Sequence, residues 1–280
     1  MSRNSSRVQS VDESQAPQAQ QPQPTVRRTA NTEFVELPSG GQFYPPGHPL
    51  HNQDVVEIRY MTARDEDTLT SPTLLKKGAA LDKFIQGILV DQSINVEDLL
   101  VGDKSAIMIA ARITGYGPEY EVKVACKECG SEVDHEFDLS DYSKYFIKDK
   151  SEETPFELNA DGAFEATLPA SGQRVVVRLL TSRDEKRIQK MAEMKTKNKL
   201  AESTTTDLLK SIVVSIDGIT QPDDIGQMLL DLPARDSLFI RKNYAKLVPK
   251  VEMIENYQCM YCGTESEMEV PLGAGFFWPG

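Results

Sequence analysis

The chain states one pattern twice, and this repetition limits its fold more than any other feature. Residues 55–66 (VVEIRYMTARDE) and 174–185 (RVVVRLLTSRDE) are identical at 6 of 12 positions. The identities include Arg59 and Arg178, Thr62 and Thr181, and the triplets Arg64-Asp65-Glu66 and Arg183-Asp184-Glu185. A similar phrase precedes each segment, Leu37-Pro38-Ser39-Gly40-Gly41-Gln42 and Leu168-Pro169-Ala170-Ser171-Gly172-Gln173. A single C-x-x-C-G follows each, at Cys126 to Gly130 and at Cys259 to Gly263. The interval from Asp103 to Cys126 is 23 residues, as is the interval from Asp236 to Cys259. Landmarks that keep their order and spacing imply a tandem duplication.

The landmarks divide the 280 residues into four parts. Residues 1–33 are rich in Gln, Ser and Pro and hold too little apolar surface to offset the entropy of ordering, so a disordered tail is expected there. Copy one runs over 34–139, an acidic connector over 140–163, and copy two over 164–280. In each copy, alternating apolar residues (Val56, Ile58, Tyr60; Val175, Val177, Leu179) predict a strand. Thr62 and Thr181, each with an Asp three residues on, predict capping boxes that open helices. Amphipathic helices follow, marked by Leu81, Phe84, Ile85, Ile88 and Leu89, and by Leu208, Leu209, Ile212 and Val213. Asp103 and Asp236 are expected to cap one further helix each, and short strands then enter and leave each C-x-x-C. The expected fold class is α+β: two copies of a small mixed α/β module joined by a shared, zinc-ribbon-like four-cysteine site. Copy two holds 14 extra residues between its Arg-Asp-Glu triplet and Asp236, in a stretch rich in Lys and Met. That stretch reads as a longer helix with a solvated basic face, or as a partner-facing arm.

The cysteines carry the strongest chemical signal. Two thiolates separated by two residues can grip one metal ion, and the following Gly permits the tight turn that aims amides at the sulfurs. Two such knuckles complete a tetrahedral four-sulfur site. Cys126, Cys129, Cys259 and Cys262 are therefore the expected ligands of one structural zinc that clamps copy one to copy two. Reduced buried thiols and a redox C-x-x-C are the alternatives; the second lacks the βαβ setting of a thioredoxin-like motif. With four protein ligands the metal keeps no open position for catalysis.

The remaining chemistry is sparse. The chain has 31 Lys+Arg against 43 Asp+Glu, a net charge of −12. This acidity opposes non-specific nucleic-acid binding and docking on anionic membranes. No run approaches the roughly 20 apolar residues of a membrane span, and the polar start lacks a signal-peptide core, so synthesis in a reducing cytoplasm is expected. His48 and His51 lie in a Pro-rich loop without a catalytic partner. His135 follows the first knuckle, but Met268 takes its place in copy two, so it reads as a surface or turn residue. The Thr-x-Arg-Asp-Glu motif is explained by helix capping, with Arg59 and Arg178 pairing with the acids. No nucleotide loop, nucleophile elbow or metalloprotease helix is present, and no enzyme is expected. Residues 273–280 (GAGFFWPG) hold the only Trp; their aromatics either pack back on the core or anchor a partner.

The phrase Phe34 to Tyr44 (FVELPSGGQFY), the repeated strand with Thr-x-Arg-Asp-Glu, the C-x-x-C-G knuckles and the aromatic end together resemble the baseplate hub assembly proteins of T-even-type contractile-tail phages. The resemblance spans roughly 34–280. It implies a non-enzymatic phage protein, made in the host cytoplasm, that helps build the tail baseplate and can remain in the virion. Its partners would be other baseplate or tail proteins, with no nucleic acid, membrane or small-molecule substrate. The competing class is a zinc-ribbon nucleic-acid-binding or transcription-associated protein. The acidic residues after each knuckle (SEVDHEFD and TESEMEV) count against it.

Overall fold

Val35, Val56 and Ile58 are buried while their neighbours face outward. This alternation makes an antiparallel pair of β1 (Thr32–Glu36) and β2 (Val55–Arg59). In the computed structural model, residues 31–147, 154–198, 204–270 and 274–277 are described. Residues 1–30, on which most of the disordered-tail expectation falls, lie outside them. Thr32 and Glu33, expected in that tail, belong instead to β1, where they pair with Arg59 and Ile58.

Helices α1 (Ala63–Thr70), α2 (Pro72–Lys76) and α3 (Ala80–Ile88) follow, and α3 turns Phe84, Ile85 and Ile88 into the core. The long α4 (Val101–Tyr116) then leads into the hairpin β3 (Glu119–Ala125) and β4 (Glu132–Asp138). After β5 (Phe146–Ile147), a four-stranded sheet forms from β6 (Glu157–Leu158), β7 (Phe164–Thr167), β8 (Arg174–Val177) and β9 (Val213–Ile216), in that order. Between β8 and β9 run α5 (Ser182–Lys197) and α6 (Thr204–Ile212). The chain continues through α7 (Pro222–Leu230), α8 (Ala234–Leu247) and β10 (Lys250–Val251), which pairs with β5. The hairpin of β11 (Ile254–Gln258) and β12 (Glu265–Glu269) carries the second knuckle.

The two stretches repeat geometry as well as residues. In β1–β2, Val35 faces Val56 and Glu36 faces Val55; in β7–β8, Ala166 faces Val175 and Thr167 faces Arg174. Leu89, just after α3, bridges Ile58, and Val213, just after α6, pairs with Val177. Their cores are not separate, because the buried side chains form one cluster from Val35 to Phe277. Gly102 of α4 marks the closest approach: a Cβ there would stand 2.0 Å from the Pro249 carbonyl oxygen. Only glycine lets α4 meet the chain entering β10.

Asp103 and Asp236 do something the local sequence does not reveal. They occupy the third positions of α4 and α8, yet neither caps its own helix. Asp103 is fully buried and accepts from Ser39 N (3.0 Å) and Ser39 Oγ (2.6 Å), 64 residues earlier, and from Tyr44 OH (2.8 Å), 59 residues earlier. Asp236 accepts from Ala170 N (2.7 Å) and Ser171 N (2.9 Å) in the corresponding turn. Each carboxylate therefore ties a Leu-Pro turn to a distant helix. Asp103→Ala would leave three buried donors unpaired at about 1–3 kcal/mol each. A loss of roughly 3–5 kcal/mol is expected in urea unfolding, whereas an exposed acid would cost little.

The Thr-x-Arg-Asp-Glu motifs open α1 and α5 as expected. Asp65 accepts from Thr62 N (2.9 Å), and Asp184 from Thr181 N (3.1 Å). Arg59 and Arg178 each grip their acid with two hydrogen bonds of 2.7 or 2.8 Å. Burial alone would raise both carboxyls, but the arginine and threonine donors outweigh it. Asp65 is held below the ordinary carboxylate range and Asp184 is drawn to about 2. These folded-state values lie below the unfolded ones, so the pairs stabilise the fold above about pH 4 and lose that contribution as pH falls toward 2. Thermal melting is expected to drop across this window, and Arg178→Gln should flatten the drop.

The lengthened α5 is anchored at its start rather than solvated throughout. Arg183 reaches Asp98 (2.8 Å), and Lys186 bridges Glu97 (3.0 Å) and the buried Asp82. Further along, Met194 stands 61% exposed.

Candidate metal centre

Each C-x-x-C sits at the tip of a hairpin. β3 delivers Cys126, and the turn to β4 carries Cys129; β11 delivers Cys259, and the turn to β12 carries Cys262. The two turns match bond for bond. Gly130 N donates to Cys126 O at 2.9 Å and Gly263 N to Cys259 O at 2.8 Å. Cys126 N donates to Ser131 O and Cys259 N to Thr264 O, both at 3.0 Å. Gly130 and Gly263 share φ +71°, a left-handed conformation that glycine adopts without a Cβ penalty.

The turns bring the four sulfurs together. Cys126 Sγ lies 3.8 Å from Cys262 Sγ, and Cys129 Sγ lies 3.7 Å from Cys259 Sγ. All four fall within 4.8 Å of one another, so one metal ion could be held among them. None is in a disulfide; the separations are far beyond the roughly 2.05 Å of an S–S bond. Cys126 and Cys259 are buried, and Cys129 and Cys262 are exposed.

The surroundings pull the thiols in different directions. The amides of Cys262 and Tyr261 pull the Cys259 thiol down to about 6. The Ser131 hydroxyl and amide lower Cys129. The amides of Cys129 and Glu128 would lower Cys126 too, but burial and the neighbouring Cys129 and Cys259 sulfurs hold it up. Four crowded sulfurs oppose their own full ionisation, and a cation among them removes that opposition.

The site also shows what spacing alone missed. His135, expected at the surface or in a turn, is half-buried on β4, edge-on to Phe137 (4.6 Å) and to Tyr257 of the other hairpin (5.4 Å). Its ring packs the two hairpins against each other. Lys127 Nζ crosses from the first knuckle to Glu267 O at 2.9 Å. His48 stacks on Tyr44 at 4.4 Å, and His51 Nδ1 lies 2.7 Å from Tyr44 O, so both order the loop around Tyr44.

The aromatic end packs back on the core. Phe276 is fully buried, edge-on to Tyr120 at 5.0 Å, and Phe277 meets Phe84 at 5.1 Å. Arg112 Nε donates to Phe276 O at 3.0 Å, while its other nitrogens hold Gly117 O and Glu119 O. Trp278 lies outside the described residues. Among the described residues, no helix is long and apolar enough to cross a membrane.

The family model described as T4 bacteriophage base plate protein matches residues 29–278. Nothing matches among the curated proteins or the solved structures.

Proposed function

Since the chain belongs to the T4 bacteriophage base plate protein family, we propose that it is a non-enzymatic component or assembly factor of the baseplate hub. It acts through contacts with other baseplate or tail proteins and is made in the host cytoplasm; as a hub component it would stay in the virion tail. The family match over residues 29–278 carries this reading.

In this reading, one structural zinc bound by Cys126, Cys129, Cys259 and Cys262 fastens the two hairpins. The support is metric. A tetrahedral zinc with Zn–S bonds of about 2.3 Å requires S–S edges of about 3.8 Å. Two of the edges here are 3.8 and 3.7 Å, and all four sulfurs lie within 4.8 Å of one another. Bound zinc would supply charge neutralisation and cross-linking, with no chemistry at an open position.

The halves 31–139 and 164–280 descend, in this reading, from one duplicated module, with 140–163 as connector and 1–30 as a tail. The shared strand registers, the two Arg–Asp capping boxes and the matched knuckles support this. So do the two aspartates that reach back to Leu-Pro turns. Mass spectrometry of purified particles beside infected-cell lysate tests the role. The chain is expected in tail-containing fractions of the lysate, and in particles if it stays as a hub part. Absence from both would contradict the assignment.

A further inference from the structure

β1 ends its sheet: among the described residues it pairs with β2 alone. Tyr60 N donates to Asn31 O at 2.9 Å, and Leu37 N donates to Asp54 O at 2.8 Å. Hydrogen-bonded positions alternate along an antiparallel strand, so Asn31, Glu33, Val35 and Leu37 turn toward β2. The backbone groups of Thr32 and Phe34 turn the other way. In the second half the corresponding edge is covered. β6 lies there antiparallel to β7, with Glu157 opposite Glu165 and Leu158 opposite Phe164. Aligning the two Leu-Pro turns places Phe34 where the second half has Glu165.

Exposed edges are usually blunted by Pro, a bulge or charged side chains, and the charges that β1 carries are both acidic, Glu33 and Glu36. The segment Thr32–Glu36 contains no Lys or Pro, and its pairing with β2 runs without a register shift. It shows Phe34 instead, 66% exposed, with Val55 on the same outward face. Acids border it: Glu33, Glu36, Asp54 and Glu57. Burial, followed by the charges of Glu33 and Glu36, pushes the nearby Tyr142 hydroxyl up to about 12. A second copy of a chain with net charge −12 suits this edge poorly.

We infer that the outer edge of β1 is a docking strand that accepts an extended segment of another protein, one that alternates apolar residues with Lys or Arg. The segment adds antiparallel to Thr32–Glu36, as β6 adds to β7. Its main chain completes the ladder, its apolar side chains cover Phe34 and Val55, and its cations, on the other face of the strand, meet Glu33. The inference rests on the correspondence of the two halves proposed above.

The test uses the full chain and a labelled short peptide of alternating lysine and valine, followed by fluorescence anisotropy. Phe34→Pro removes an outward N–H and leaves the β1–β2 ladder intact. It is expected to weaken binding about tenfold or more, and a glutamate–valine peptide should bind at least about tenfold more weakly than the lysine one. Thr32→Pro, which also removes an outward N–H, should act in the same direction. Circular dichroism and metal content on the same samples separate a lost docking edge from a lost fold or a failed zinc assignment. The inference is overturned if the wild-type chain does not bind the lysine peptide, if both proline variants bind as wild type does, or if the acidic peptide binds equally. Dimerisation of the wild type in sedimentation, abolished by Phe34→Pro, would assign the edge to a second copy and overturn it as well.

Discussion

Replacing Phe276 and Phe277 together by alanine is expected to abolish cooperative unfolding near room temperature. Both rings are buried, and they close the core over Phe84 and Tyr120. Truncating a buried Phe costs about 3–5 kcal/mol through lost transfer energy and the cavity left behind. Two such losses come to roughly 6–10 kcal/mol, before allowance for coupling between adjacent rings. A whole domain is stable by only about 5–15 kcal/mol. The loosened segment would also weaken the Phe276 carbonyl as a partner for Arg112, a buried cation held by three carbonyls. Urea unfolding followed by circular dichroism reads the effect, and Phe276→Ala alone should lower stability by about 3–5 kcal/mol. An unchanged midpoint in the double variant would mean that these aromatics serve a partner and not the core.

Much of this architecture could be read from the residues because it is local. Thr62 and Asp65, and Thr181 and Asp184, are three residues apart, a spacing that only a helix N-terminus uses in this way. The alternation at Val56 and Ile58, and at Val175 and Val177, gave the strands and their buried faces. The four cysteines were legible because their spacing repeats. What escaped is long-range. Asp103 stands at the third position of a helix, where capping is the natural expectation, yet its partners lie 59 and 64 residues back. A signal did exist. The separation from Ser171 to Asp236 is 65 residues, because the longer loop after Gln42 nearly offsets the longer helical stretch after Glu185. His135 was misplaced because periodicity reports a face but not which hairpin packs on that face. Nor could composition decide where the C-terminal aromatics go, since a core and an interface want the same rings.

Cys259→Ser is the second large effect. Cys259 is buried, receives two backbone amides and stands beside Cys129. Serine cannot become an anion at neutral pH, so the site would keep three sulfurs and lose most of its affinity. Metal present at about a thousand times its dissociation constant stabilises a folded chain by about 4 kcal/mol. Loss of that linkage should lower the melting temperature by roughly 8–16 °C in a domain of this size. The damage is expected first in the β3–β4 and β11–β12 hairpins, because the shared core beneath them persists. Chelation of the wild-type chain should reproduce the shift, and Cys129→Ser should match it. A variant that melts with the wild type, or a wild type indifferent to chelator, would detach the cysteines from stability.

The account stands or falls on whether one metal joins the two halves through four sulfurs. X-ray absorption at the zinc edge, taken with metal analysis of the purified full chain, addresses this without any substitution. One zinc per chain, surrounded by four sulfurs at about 2.3 Å, is the expected result. A folded chain without metal, or zinc in a shell of oxygen or nitrogen, would contradict it.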